Sequence, residues 1–356
     1  MSVEADPEHA PRTVRPEEKT PVVRRAGLVA WIALVIVYIV WGSTYLAIRV
    51  GVETMPPLLM AAARNLVAGI IMFPIALFSL RAPSSRLASA EPSRRRLPSS
   101  LLRRSSVQAA PRRSGSRVGR RWPSRREWAG CAIVGILLLV ANGLVGIGEQ
   151  TVPSGLAALL VATVPLWLLG MDAVLNHARL GWAPLGGLLL GLAGVGLLSG
   201  LGDRSHGISA LGVFIILGAA AMWALGTIMA RRVTLPSSPA LASGMQLLCG
   251  GAALLALSAA AGEFGSLHLG QISTRSWLAL GYLIVFGSIV AFSAYGIAIR
   301  ALPTATVATY AYVNPVIAVL LGTLILNEPL TPAMLAGGAL IVGAVVLVVR
   351  RSPPAH

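Results

Sequence analysis

Apolar runs long enough to cross a membrane alternate with short polar loops along most of this chain. The runs fall near residues 29–49, 57–80, 128–149, 154–174, 182–200, 209–230, 239–261, 276–298, 304–325 and 332–349. Each is about as long as a helix needs to span a hydrocarbon layer roughly 30 Å thick. Helices are the expected form, because a helix satisfies its own backbone polar groups in lipid. The pattern therefore predicts an all-α integral membrane protein with ten transmembrane helices. Residues 1–28 are rich in Pro, Glu and Arg and read as a disordered tail. The first run has no small-residue cleavage site and is followed by many others, so it reads as a span and not a removable signal.

A longer period underlies the runs. NGLVGIGEQTVPSGLAALLVATVPLW (142–167) recurs as FSAYGIAIRALPTATVATYAYVNPVI (292–317), with Pro303 answering Pro153 and Pro315 answering Pro165. Elsewhere Trp41 corresponds to Trp223, Arg64 to Gln246, Gly69 to Gly251, Trp128 to Trp277 and Gly187 to Gly337. A turn proline and a mid-helix proline repeated at one spacing argue for a duplicated unit. Each unit has five spans, an odd number, so the second copy enters the membrane upside down. The expected architecture is two inverted five-helix repeats, 29–200 and 208–350. Such proteins hold their substrate near the midplane between the repeats and alternate access by rocking.

Charge then sets orientation. With the N-terminus inside, segments 1–28, 81–127, 175–181, 231–238, 299–303 and 350–356 collect 25 of the 29 Lys and Arg residues. The opposite loops hold only Arg204 and Arg275, while Arg49 and Arg64 lie within spans. The bias places both termini in the cytoplasm of a multi-pass cell (inner) membrane protein. Composition agrees: 55% of residues are hydrophobic and 12% charged, against about a quarter charged in a soluble domain. The net charge of +16 is not a nucleic-acid signature, because it is concentrated in the tails, the loops and the Arg/Ser/Pro-rich insertion 81–127. That insertion lacks aromatics interleaved with its arginines, with only Trp122 and Trp128 near its end, so no nucleic-acid partner is expected. It reads as a cytoplasmic linker resting near anionic lipids. Cys131 and Cys249 sit in separate apolar runs and read as small buried hydrophobes.

Polar residues inside the runs are the candidates for function. Arg64 lies about seven residues into the second span, where a charge costs roughly 2.5–3.5 kcal/mol on insertion scales. It needs a partner or a wet cavity, and Glu149, beside Gln150 at the end of the third span, is the expected partner and a candidate for proton coupling. Asp172 reads as interfacial. Tyr38, Trp41 and Tyr45 share one face of the first span, as packing or as a binding surface. Gln246, Tyr310 and Asn314 are polar groups that lipid does not tolerate, serving either interhelical hydrogen bonds or a site. Pro165 and Pro315 each remove an intrahelical bond, freeing the carbonyls of Val161 and Ala311, and are candidate hinges. The GxxxG pair Gly187 and Gly191, followed by Gly194, predicts close helix packing within one chain or between copies of a homo-oligomer.

Several classes are excluded. The one lysine, Lys19, lies in a Pro/Glu context, so there is no P-loop and no ATP site. The five histidines lie in tails or loops, with no HExxH and no Cys/His cluster, and no GxSxG elbow occurs. No metal and no cofactor is expected, although ion or proton coupling is compatible with the pattern.

WGSTYLAIRVGVETMPP (41–57) with AAARNL (61–66), then the 142–167 stretch, then AYVNPVIAVLLGTLILNEPLTP (311–332) resemble the EamA-type family of the drug/metabolite transporter superfamily. EQTVPSGLAALLVATVPLW is most similar to its YedA-like inner-membrane branch. The resemblance covers about 29–350 without the insertion. It implies ten helices in two inverted repeats, cytoplasmic termini and secondary transport of small metabolites, usually export. It also implies a central cavity bordered by Trp41, Tyr45, Arg64, Glu149, Trp223, Gln246, Tyr295 and Asn314. The insertion is longer than the family's usual connection. Asn327-Glu328-Pro329 stands where Gly-Glu-Pro is common, which argues against a tight positive-φ turn there. The reading is a secondary exporter of an amino acid, amine or drug-like solute, not an enzyme. Its alternative is a membrane enzyme acting on a lipid or isoprenoid, which would need clustered acids or histidines.

Overall fold

The computed structural model describes residues 21–79, 122–175, 182–198, 209–302, 304–307 and 309–351. The first 20 residues, most of the 81–127 insertion and Pro303 lie outside the described residues, and so do the readings placed on them. All regular structure among the described residues is helical. Seven helical segments are long and apolar enough to cross a membrane, and shorter apolar helices occupy Leu185–Val195, Val313–Leu326 and Pro332–Ala344.

In order, the helices are α1 (Pro21–Gly51), α2 (Pro57–Ser79), α3 (Arg125–Glu149), α4 (Ser154–Val161), α5 (Val164–Leu175), α6 (Trp182–Leu198) and α7 (Ala210–Ala230). They continue as α8 (Pro239–Ala260), the short α9 (Glu263–Ser266), α10 (Thr274–Tyr282), α11 (Ala291–Ala301), α12 (Thr304–Val307), α13 (Tyr310–Leu326) and α14 (Pro332–Arg351). A π-helical segment, Leu283–Val290, joins α10 to α11. Helix α1 begins at Pro21, eight residues before the apolar run. Residues 21–28, expected to belong to a disordered tail, are therefore helical, and Pro suits a first helical turn, where its missing N–H costs nothing. Helix α3 likewise starts earlier than its apolar run, at a capping box in which the Ser124 side chain accepts from Glu127 N and the Glu127 carboxylate accepts from Ser124 N.

The outward faces carry large hydrophobics: Ile70, Phe214, Leu278 and Leu324 are each more than 60% exposed. Such a surface suits lipid, not water. Inside, α2 packs along α8 and α6 along α14, and α4 crosses α13. Helix α1 lies against α11 and α13, as α7 lies against α3 and α4–α5. The π segment touches α2 as α3 touches α8. Exchanging the first five apolar segments for the last five leaves this pairing unchanged. The small residues of α6 meet α14 within the same chain: a side chain at Gly191 would meet Leu166 and Ala344, and one at Gly194 would meet Ile341 and Gly337.

Small residues also set how closely α3 and α8 approach. A Cβ at Gly135 would stand 2.4 Å from the carbonyl oxygen of Gln246, and one at Gly250 would stand 2.4 Å from the carbonyl oxygen of Gly135. Backbone cannot yield as a flexible side chain does. Gly135→Ala is therefore expected to destabilise by about 1–3 kcal/mol, the range for overpacking a close-packed interior. Thermal unfolding of the purified protein in detergent checks this, and an unchanged melting temperature would show that the contact is not tight.

The fourth apolar run is broken, not kinked. Helix α4 ends at Val161 and α5 begins at Val164, because Pro165 cannot continue the hydrogen-bond ladder. Thr163 takes up the break: its N–H and its hydroxyl both donate to the Leu160 carbonyl, at 3.1 and 2.6 Å. In the second half Pro315 sits inside α13, and the break instead falls ahead of Tyr310. The turn after α13 is tight after all. Asn327 adopts the left-handed conformation, φ 54°, with Glu328 N donating to the Gly322 carbonyl. Asparagine is among the few residues besides glycine that tolerate this region.

Candidate functional site

A cavity of about 280 Å³ lies where α1, α2, α3, α4, α5, α7, α11 and α13 converge. Both halves build it. Trp41 and its counterpart Trp223 border it, as do Pro165 and its counterpart Pro315. Tyr45, Arg64, Tyr310 and Asn314 border it as well. The helix break at Ala162–Thr163 also meets this space: Ala162 lines it, with Val161 and Val164.

Arg64 is 5% exposed and reaches the cavity from α2. Its Nε donates to Ser288 Oγ at 3.0 Å, and its Nη1 lies 3.4 Å from Asn142 Oδ1. The expected pairing with Glu149 is not made. Glu149 ends α3 beyond the cavity wall, fully buried, with neither carboxylate oxygen hydrogen-bonded. The Arg49 guanidinium donates to the backbone carbonyl of Glu149, not to its carboxylate. Geometry explains the separation: Asn142 and Glu149 are about two turns apart on one face of α3, roughly 10 Å along the axis. Asn142 therefore meets Arg64 while Glu149 lies one level beyond.

The other expected residues divide. Tyr38 pairs its hydroxyl with Thr309 Oγ1, behind the cavity. Tyr295 stands behind Trp41, its ring centroid 5.3 Å away, and supports the wall without facing the space. Gln150 is exposed and lines a separate cleft with Glu53, Glu263 and Gln271. Gln246 sits at the α3–α8 contact described above, away from the cavity. Asn314, with its amide oriented to donate, bonds the carbonyls of Tyr38 at 3.2 Å and Tyr310 at 3.1 Å, fastening α13 to α1.

Sequence reasoning missed Asn142, Thr44 and Phe292 on the wall and Ser288 behind Arg64. Asn142 carried a usable signal: it is a polar amide within an apolar run, as Asn314 is. Ser288 carried none, because serines are common inside membrane helices. Its position depends on the π segment, whose wider turn rotates Ser288 and Gly287 toward α2.

At the Glu149 end of the bundle, two carboxylates from the second half cap helices of the first. Glu328 accepts from Ser154 N (2.8 Å), Gly155 N (3.1 Å) and Ser154 Oγ (2.9 Å) at the start of α4. Glu263 accepts from Leu58 N (3.1 Å) and Leu59 N (2.8 Å) at the start of α2, and from Ser258 Oγ (2.8 Å). A carboxylate on the free N–H groups of a helix start satisfies those donors and opposes the helix dipole.

The model of the EamA-like transporter family matches residues 28–93, 116–200 and 210–350. The chain belongs to the EamA family of transporters. It is 38% identical over 321 residues to the inner membrane transporter YedA of Escherichia coli K12, covering 89% of each chain. It is 24% identical to a probable terminal-alkyne amino-acid exporter of Streptantibioticus cattleyicolor, covering 90% of this chain and 93% of the other. A solved crystal structure covers 91% of this chain and 96% of its own, with a TM-score of 0.52 at 19% identity, a likeness of fold alone. Membership also sets aside the membrane-enzyme alternative: this is a transporter of small molecules embedded in a membrane.

Proposed function

We propose that this EamA-family transporter is a secondary exporter of a small organic solute (an amino acid, amine or drug-like metabolite), working by alternating access. Ten spans in two inverted repeats, 29–200 and 208–350, rock about the cavity, with both termini in the cytoplasm of an inner membrane. The observation that carries this reading is the origin of the wall: Trp41 with Trp223 and Pro165 with Pro315 enter one cavity from counterpart positions. The exchange-symmetric helix pairing supports it, and so does the exporter named among the relatives. The helix break beside Pro165 and the π segment beside Arg64 are local weak points where the ladder can bend. The drive is an ion or proton gradient and not ATP. Residues 81–127 are a cytoplasmic linker near anionic lipids and take no part in solute binding.

Export from cells with and without the protein, repeated after collapse of the proton gradient, tests the reading. No difference between the two cell lines for any metabolite would overturn it. Glu149→Gln is expected to insert normally and melt no lower than wild type, yet slow efflux about tenfold or more. Its carboxylate, enclosed without hydrogen bonds, is a strain that opening of that end relieves by admitting water or a partner. Normal efflux by Glu149→Gln would remove that residue from the transport cycle.

A further inference from the structure

The export reading puts a solute in the central cavity, and on that reading the chemistry of the wall selects the class of solute. We propose that the occupant is a monocarboxylate with a flat or apolar body, its carboxylate held by Arg64 and its body laid against Trp41.

Arg64 is the one charged residue on the wall among the described residues, and its hydrogen-bond partners, Ser288 and Asn142, are both neutral. A guanidinium taken out of water with no counter-charge is costly. Its N–H groups not used by Ser288 or Asn142 are available to an occupant, and their planar fork matches a carboxylate bidentately. Asn142 stands beside it with an amide able to donate to the same oxygens. The charge count limits the anion. One cation balances one negative charge, and among the described residues no lysine or second arginine borders the cavity to neutralise a phosphate or dicarboxylate.

The rest of the wall selects the body. Trp41 is held by Phe292 edge-on at 5.7 Å, Tyr310 edge-on at 5.1 Å and Tyr295 tilted at 5.3 Å, so its ring is a fixed flat surface. Tyr45 and Trp223 complete an aromatic enclosure. An aromatic enclosure also suits a quaternary or primary ammonium. Here Arg64 borders the same small space and repels a cation, while no Asp or Glu on the described wall attracts one. At about 280 Å³ the cavity lies near the lower bound of roughly 300 Å³ for ligand pockets, which fits a small monoanion.

Calorimetric titration of the purified full-length protein in detergent with an isosteric series tests this: 3-phenylpropionate, 3-phenylpropanamide and phenethylamine. The acid is expected to bind about tenfold or more tightly than the amide, the amine most weakly. Arg64→Gln should erase the acid's advantage over the amide, and Arg64→Lys should keep part of it. Tightest binding by the amine, an acid preference that survives Arg64→Gln, or no binding by any member of the series would overturn the proposal. Proteoliposome flux separates the two readings. An acid that binds with Arg64-dependent preference but is never moved defeats the export reading alone, and an amine moved in preference to the acid defeats the carboxylate reading alone.

Discussion

Replacing Gly287 by leucine should reduce solute flux about a hundredfold, as severely as removing Arg64, although Gly287 carries no functional group. A Cβ on Gly287 would stand 3.1 Å from Arg64 Nη2 and 3.2 Å from Thr44 Cγ2. Alanine is tight there, but the far end of the arginine can give a few tenths of an ångström, so Gly287→Ala should cost only a few-fold. A leucine side chain must occupy the guanidinium's own seat and break its 3.0 Å bond to Ser288. The displaced cation then loses its aim into the cavity, with a loss of about 2–3 kcal/mol for a charge-assisted contact, equivalent to the hundredfold effect. Flux in proteoliposomes, with melting in detergent as the control for folding, is the measurement. Wild-type flux in Gly287→Leu would mean that the seat of Arg64 is not used in transport.

Glu328→Ala is expected to lower stability by about 2–4 kcal/mol and to loosen the Glu149 end. Its carboxylate accepts the N–H groups of Ser154 and Gly155 and the Ser154 hydroxyl, and Ser154 is fully buried. Deleting the acceptor leaves donors unpaired away from water, each costing about 1–3 kcal/mol when nothing replaces the bond. The contact joins α4 to the turn after α13, so losing it also unfastens a crossing between the halves. Maleimide labelling of a cysteine introduced at Val152, which is buried in this conformation, reads the loosening directly. Faster labelling and a lower melting temperature are expected, and Glu328→Gln should lie between wild type and alanine. Equal labelling and melting in all three would show that the cap does not hold this end closed.

The residues explain why these features differ in legibility. Arg64 was visible at once, because a charge inside an apolar run has no bland place in lipid. Pro165 was visible too, since its missing N–H takes one bond from any helix that holds it, although α13 runs on through Pro315. The partner of Arg64 was not. Glu149 and Asn142 lie on the same face of α3, and only the height at which α2 crosses α3 decides which of them the guanidinium meets. Gln246, counterpart of Arg64 in the second half, was placed on the expected cavity by the family resemblance. The close approach of α3 and α8 at Gly135 holds it outside.

Glu328 shows the same division. Its place in an Asn-Glu-Pro turn was plain in the sequence, and so was the asparagine at 327 in place of glycine. That Asn327 takes the left-handed conformation, and that Glu328 reaches across to the start of α4, depend on packing between halves more than 170 residues apart.

Hydropathy, charge bias and proline spacing are local quantities, so the chain by itself determined an all-helical membrane protein, the prolines that weaken its helices, and the charge that needs a site. Which side chains share the cavity, which carboxylates cap the opposite half, and which glycine makes room for Arg64 depend on the rotation and height of each helix. Those are set by many small contacts between distant segments, and only the tertiary structure decided them.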